Sequence, residues 1–206
     1  MPGRAISGAR GGRVKWASNI ALPPSTRRLR FRRFRATDLD ALYRLDSDPR
    51  VMRYIGDGSV PSRARVMSVL ARAAAYYTHY PGLGVWPAEE QAEGRFIGWF
   101  CLKYVPQTVE VEVGYRLLPE AWGQGYATEG ASALVSYGFD VLGLYRIIGI
   151  THPDNAASQR VLTKAGLRDH GWGRYYDRRV RVFAEQAPSA VMVTRRPEEI
   201  PAANKG

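Results

Sequence analysis

The sequence predicts an α/β domain, an α+β arrangement in which one mixed sheet is flanked by helices. Segments with helical apolar spacing and segments with strand alternation interleave along the chain. Residues 82–118 hold three successive strand-like runs separated by polar links. The last of these runs passes through a glycine turn into a helix, giving a strand–turn–helix unit. With 206 residues, 45% hydrophobic and 24% charged, the chain is long enough for one domain with a full core.

The first strand is read at 28–35, RLRFRRFR, where Leu29 and Phe31 share a face. Thr37 caps the helix TDLDALYRL, which has acids in its first turn and Leu39, Leu42, Tyr43 and Leu45 at helical spacing. Asp48-Pro49 opens a short helical turn through Met52. A second long helix spans 62–80, striped by Val66, Val69, Leu70, Ala73, Ala74 and Tyr77. GLGVW (82–86) and FIGWFCLKYV (96–105) form a hairpin with a fairly long turn. In VEVEVGYRLL (109–118), Val109, Val111 and Val113 alternate with Glu110 and Glu112. Gly114 in that strand marks a bulge or a close backbone approach. Residues 127–142 are helical, with Ala127, Ala131, Leu134, Val135, Val141 and Leu142 as the apolar set and Gly143 as the stop. YRIIGIT (145–151) is a short apolar strand. Asp154 or Asn155 caps the next helix, which buries Val161, Leu162 and Ala165 and ends at Gly166. Two closing strands lie near 167–174 and 179–185.

The net charge of +11 is concentrated. Ten basic residues and no acid fall within 1–35, and the remainder is nearly balanced. Residues 1–26 therefore read as a basic, disordered tail, 27–195 as the domain and 196–206 as a second frayed end. The basic stretch 1–35 implies at most a weak, salt-dependent nucleic-acid contact, since Trp16 is the only aromatic before the first strand to offer base stacking. It lacks the apolar run of a secretory signal. No run approaches the length of a membrane span, so no membrane partner is expected. One cysteine, Cys101, excludes an internal disulfide framework and points to a reducing, cytoplasmic setting; it reads as a core residue. Three scattered histidines without cysteine partners at ligand spacing argue against a metal site.

The turn EAWGQGYATEG (120–130) narrows the chemistry. Glycines at the mouth of a helix let an anion approach the free backbone N–H groups and the positive end of the helix dipole. A Walker loop needs Gly-Lys-Ser/Thr, and there is no lysine here. A dinucleotide fingerprint needs G-x-G-x-x-G/A, and Thr128 stands in the last place. The turn, the EVGY strand before it and NAAS opening the next helix together resemble the Gcn5-related N-acetyltransferases, which bind acetyl-coenzyme A. The likeness runs over about 109–170 and extends to the branch of ribosomal-protein N-terminal acetyltransferases. Trp122 departs from the family's usual Gln or Arg at the start of the loop.

That resemblance implies a splayed central sheet and direct transfer of an acetyl group to an amine. It implies that Glu112 is the general base, acting through water, and that Ser158 protonates the leaving thiolate. Backbone groups of Tyr115, Leu117 and Leu118 would contact the pantetheine arm and thioester. Gly123, Gln124, Gly125, Tyr126, Ala127 and Thr128 would hold the pyrophosphate, and Asn155 and Ser158 would also contact coenzyme A. Arg160 and Lys164 lie on the same helix as candidates for the 3′-phosphate. Tyr54, Trp86 and Trp99 are candidate walls of the acceptor pocket. The acceptor is a protein N-terminus or a small-molecule amine, and the chain a monomer or homodimer. The competing reading is a non-catalytic acyl-coenzyme A-binding module whose basic tail docks on RNA or ribosomes.

Overall fold

A computed structural model describes residues 22–187. The tail up to residue 21 and the C-terminal segment from 188 lie outside the described residues, as do the expectations placed on them. The strands are β1 (Leu29–Phe31), β2 (Gly84–Glu90), β3 (Phe96–Tyr104), β4 (Val111–Leu117), β5 (Arg146–Thr151), β6 (Arg168–Tyr175) and β7 (Arg178–Gln186). The helices are α1 (Leu39–Asp46), α2 (Pro49–Met52), α3 (Arg63–His79), α4 (Tyr126–Ser136) and α5 (Ala156–Lys164). One mixed sheet runs in the order β1-β2-β3-β4-β5-β7-β6, antiparallel throughout except where β4 and β5 pair in parallel.

The main core lies where Phe100 and Leu102 of β3, Val111 and Val113 of β4 and Ile147 of β5 meet Ala131 and Leu134 of α4 and Leu162 of α5. Gly130 brings α4 close to the sheet: a Cβ there would stand 2.3 Å from the Phe100 ring. A second cluster joins Leu42, Leu45, Val66, Leu70 and Ala73 of α1 and α3 to Leu118, with Trp99 packed against it.

Several elements differ in detail from the sequence reading. β1 covers only Leu29–Phe31, and Thr37 does not cap α1. Instead Asp38 accepts the Arg35 N–H at 2.7 Å and two hydrogen bonds from Arg32, both 2.7 Å. β2 continues to Glu90, so the turn into β3 is short. Val109, Val69 and Val141 are exposed, and the regular turns of α4 end at Ser136, followed by a wide π turn over Tyr137–Val141. Gly114 marks no bulge, since β3 and β4 keep one register from end to end; it allows instead the close approach of Cys101 Sγ, 3.1 Å from a Cβ built there. Burial pushes the Cys101 thiol up to about 12, in keeping with an inert core residue.

The ordered fold also starts earlier than expected, because Pro23 is buried and Thr26 bonds Glu129 at 2.5 Å. Three arginines assigned to the basic stretch are neutralised within the fold: Arg28 pairs with Glu129, Arg30 with Glu89, and Arg32 with both Glu89 and Asp38. Arg32 holds these two largely buried carboxylates at 2.6 and 2.7 Å. Burial alone would raise their pKa values, but the guanidinium outweighs it and both are lowered. Such depressed carboxylates add stability above their unfolded pKa values and lose it as pH falls through the folded ones. Replacing Arg32 with Met is therefore expected to destabilise the fold by about 2–3 kcal/mol at pH 7 and by less near pH 3, as denaturant unfolding at the two pH values would show.

Candidate functional site

β4 and β5 begin side by side and then part. Their pairing consists of Val111 with Ile147 and Glu112 with Ile148. β4 nevertheless stays on β3 through Leu117, and β5 stays on β7 through Thr151. A cleft opens between them after Glu112. The hydrogen bonds Val105 N–H to Glu110 O (2.8 Å) and Leu118 N–H to Ile97 O (2.9 Å) fix which main-chain groups face it. Antiparallel alternation turns the even-numbered residues of β4 toward β3 and the odd-numbered ones toward β5. The Val113 N–H points at the Ile148 carbonyl as the last rung of the parallel pair, and beyond it the C=O of Val113, both groups of Tyr115 and the N–H of Leu117 face the cleft. The Leu117 carbonyl faces the same way and accepts the Trp122 indole N–H at 2.8 Å. Trp122, the departure in the loop, thus anchors the turn to the end of the β4 arm.

Leu118 does not fit the role expected of it. Its N–H is taken by Ile97, its carbonyl accepts the Ala121 N–H at 2.9 Å, and its side chain lies in the second core cluster.

The loop after β4 turns on two left-handed glycines, Gly123 (φ 73°) and Gly125 (φ 82°), the latter immediately preceding α4. The space where a Gly123 side chain would stand is open to 4 Å. Gln124, Tyr126, Ala127 and Thr128 complete the turn and the first helical turn, where backbone N–H groups lack intrahelical partners. Residues far away in sequence brace this unit. Glu129 accepts from Thr26 Oγ1 (2.5 Å), Arg28 N (2.8 Å) and Arg28 Nε (2.7 Å). Burial opposes the Glu129 charge, but these bonds outweigh it and hold its pKa below the usual range.

Across the cleft, Asn155 Oδ1 caps α5 by accepting the Ser158 N–H at 3.1 Å. The Tyr115 hydroxyl comes from the β4 arm to within 3.0 Å of Ser158 Oγ, so this pair spans the opening. Burial pushes the Tyr115 phenol up to about 12, and it keeps its proton at neutral pH. Arg160 and Lys164 project from the side of α5 opposite Ser158. There, with Gln159, Thr163, Asp169 and Phe183, they line a hollow of about 410 Å³ over β6 and β7.

The other face of β4 carries a polar row. Glu112 is 9% exposed and paired with Lys103, its cross-strand neighbour on β3. Lys103 also donates to the Tyr176 hydroxyl at 2.9 Å. Burial pulls the Lys103 pKa down, but Cys101, Glu112 and Tyr176 around it reverse the shift and the group stays charged. Arg116 pairs with Asp46 and lies 5.0 Å from the Trp99 ring. The β6–β7 hairpin folds over this row at Tyr175, which bonds Glu110, and at Tyr176 and Asp177, both with positive φ.

Of the acceptor candidates, Tyr54 stacks on His152 at 5.3 Å, just beyond the parted end of β5. Trp99 flanks the polar row. Trp86 is 2% exposed and packs edge-on against Tyr137 in the main core, so it lines no pocket. Sequence reading missed Lys103, Tyr176 and the brace between Arg28 and Glu129; only the opposite charges of Lys103 and Glu112 offered a signal, and that required the hairpin register. Among the described residues no group of three or more His, Cys, Asp or Glu is placed to hold a metal ion, and no helix is long and apolar enough to cross a membrane.

Comparison with known proteins bears directly on this geometry. The chain is 39% identical over 132 residues to an FsC-acetyl coenzyme A-N(2)-transacetylase of Aspergillus fumigatus, covering 60% of this chain and 55% of that one. The chain thus spans just over half the length of that relative. It is 35% identical over 152 residues to the uncharacterized N-acetyltransferase YoaA of Bacillus subtilis, covering 73% and 85% of the two chains. Mycobacterium smegmatis RimJ, solved in complex with CoA-disulfide, shares the fold with a TM-score of 0.65 at 21% identity, over 82% of this chain and 91% of that one. A family model for the acetyltransferase (GNAT) domain matches residues 28–168, and the chain belongs to that family of acetyltransferases.

Proposed function

We propose that the chain transfers an acetyl group from acetyl-coenzyme A to a primary amine by direct attack in a ternary complex. The parting of β4 from β5 after Glu112, with a glycine turn at the end of the β4 arm, carries this reading. Odd-numbered main-chain groups facing a cleft need hydrogen-bonding partners. The amide-rich pantetheine arm suits that edge as an added strand would. The amides of Gly123–Thr128 and the α4 dipole suit a pyrophosphate. The name of the Aspergillus relative and the coenzyme A derivative in the RimJ structure support the same donor.

Acetyl-coenzyme A supplies the activated acyl group; the rest of the chemistry falls to the chain. A main-chain N–H of Tyr115 or Leu117 offers the oxyanion a donor in the cleft. The Tyr115–Ser158 pair holds a proton for the departing thiolate, with Ser158 Oγ nearer α5 and Tyr115 as its reserve. Glu112, paired with Lys103, receives the proton leaving the amine through water. Tyr54 and Trp99 border the acceptor, a protein N-terminus or a small amine. Asn155 holds the first turn of α5, and with it Ser158, in place against the donor.

Calorimetric titration of acetyl-coenzyme A into the full chain at near-physiological salt is expected to saturate at about one per chain, with roughly micromolar affinity (about −8 kcal/mol). Folded protein that gives no binding isotherm removes the donor assignment. With an amine acceptor found by screening, Glu112→Gln is expected to lower kcat about 100-fold, and Ser158→Ala and Tyr115→Phe about tenfold each, with little change in acetyl-coenzyme A affinity. Unchanged turnover in both Glu112→Gln and Ser158→Ala contradicts the catalytic roles while leaving the donor site standing.

A further inference from the structure

A turn built on two left-handed glycines has little stiffness of its own, because glycine rotates through the left-handed region at no steric cost. Two peptides lie between the two glycine α-carbons, and the second, joining Gln124 to Gly125, leads directly into α4. In the structure one side chain sets its orientation. Arg28 Nη1 donates to the Gln124 carbonyl at 2.9 Å. No cis peptide occurs among the described residues, so this peptide is trans and its C=O and N–H point in opposite directions. With the carbonyl turned toward Arg28, the Gly125 N–H is turned away from it.

Arg28 is itself fixed on three sides. Its Nε donates to Glu129 at 2.7 Å, its guanidinium lies 4.4 Å from the centre of the Tyr126 ring, and its own carbonyl accepts the Gln91 N–H at 2.8 Å. Its Nη2 lies only 3.4 Å from where a Gly125 Cβ would stand, so the guanidinium forms the floor under that residue. The same contact neutralises Glu129, whose carboxylate in the first turns of α4 would otherwise repel an arriving phosphate.

We propose that Arg28 is a positioning residue for donor capture: it locks the Gln124–Gly125 peptide so that the Gly125 N–H is presented to the pyrophosphate, and it cancels the Glu129 charge beside that site. The inference rests on reading the Gly123–Thr128 turn as the pyrophosphate site of acetyl-coenzyme A. Its distinctive consequence is that Arg28 matters only to a ligand that carries phosphate.

The test compares acetyl-coenzyme A with S-acetylpantetheine, which has the thioester and the pantetheine arm but no phosphate, in calorimetric and displacement titrations of the full chain. Arg28→Ala is expected to weaken acetyl-coenzyme A about tenfold while S-acetylpantetheine changes less than about twofold. Arg28→Lys keeps the charge but has one nitrogen where arginine sets Nε on Glu129 and Nη1 on the Gln124 carbonyl, so it is expected to recover less than half of the lost affinity. Wild-type affinity for acetyl-coenzyme A in either variant overturns the proposal, as does an equal loss with both ligands in both variants. A wild-type chain that binds both ligands equally well would instead sink the pyrophosphate reading itself, an outcome visible before any variant is made.

Discussion

The site depends on a parallel strand pair that holds for two residues and then fails. β5 stays on β7 along its whole length and β4 stays on β3, so the sheet is two sheets joined at Val111–Ile147 and Glu112–Ile148. The right-handed twist of each half carries the arms apart beyond that seam. Backbone groups that leave a ladder must find other partners, and the Leu117 carbonyl finds one nearby, in the Trp122 indole. What remains is a linear edge of main-chain donors and acceptors in an otherwise close-packed domain. α4 and α5 flank it on one face, and the Tyr115–Ser158 hydrogen bond ties its two sides together.

The opposite face of the same strand solves a different problem. Charged side chains there are largely buried, and each acid meets a base: Asp46 with Arg116, Glu112 with Lys103, Glu110 with Arg146. Paired charges at low exposure are costly to break and hold their geometry. That row, closed over by Tyr175 and Tyr176, gives this face a fixed electrostatic pattern rather than a plain apolar wall. The two sides of the cleft are thus built from alternate residues of one strand, with Tyr115 on the first and Glu112 on the second.

Much of this was legible in the sequence because local signals and burial agreed. Alternating Val111 and Val113, the Gly123–Gly125 turn and the Asn155 cap each state a backbone requirement in a few adjacent residues. What stayed hidden depends on contacts distant in sequence. Lys103 meets Glu112 only once the β3–β4 register is known, and Arg28 meets Glu129 across about a hundred residues. Thr37 is a capping residue by type, yet the cap position of α1 falls on Asp38, whose carboxylate is engaged by Arg32 and the Arg35 amide. Trp86 could not be assigned to core or pocket without knowing which face of β2 meets α4. Leu118 failed for a simpler reason: alternation along β4 turns its backbone toward β3.

On the proposed reading, the odd-numbered backbone groups of β4 and the amides of the Gly123–Thr128 turn together form one donor-binding edge. Amide resonances followed by NMR while coenzyme A is added test it most directly. Shifts are expected to concentrate at Tyr115 and Leu117 and at Gly123 through Thr128, with smaller changes at Gly114, Arg116 and Leu118. Shifts confined to the hollow beside Arg160 and Lys164, or spread evenly over odd and even residues of β4 with none in the turn, would contradict it.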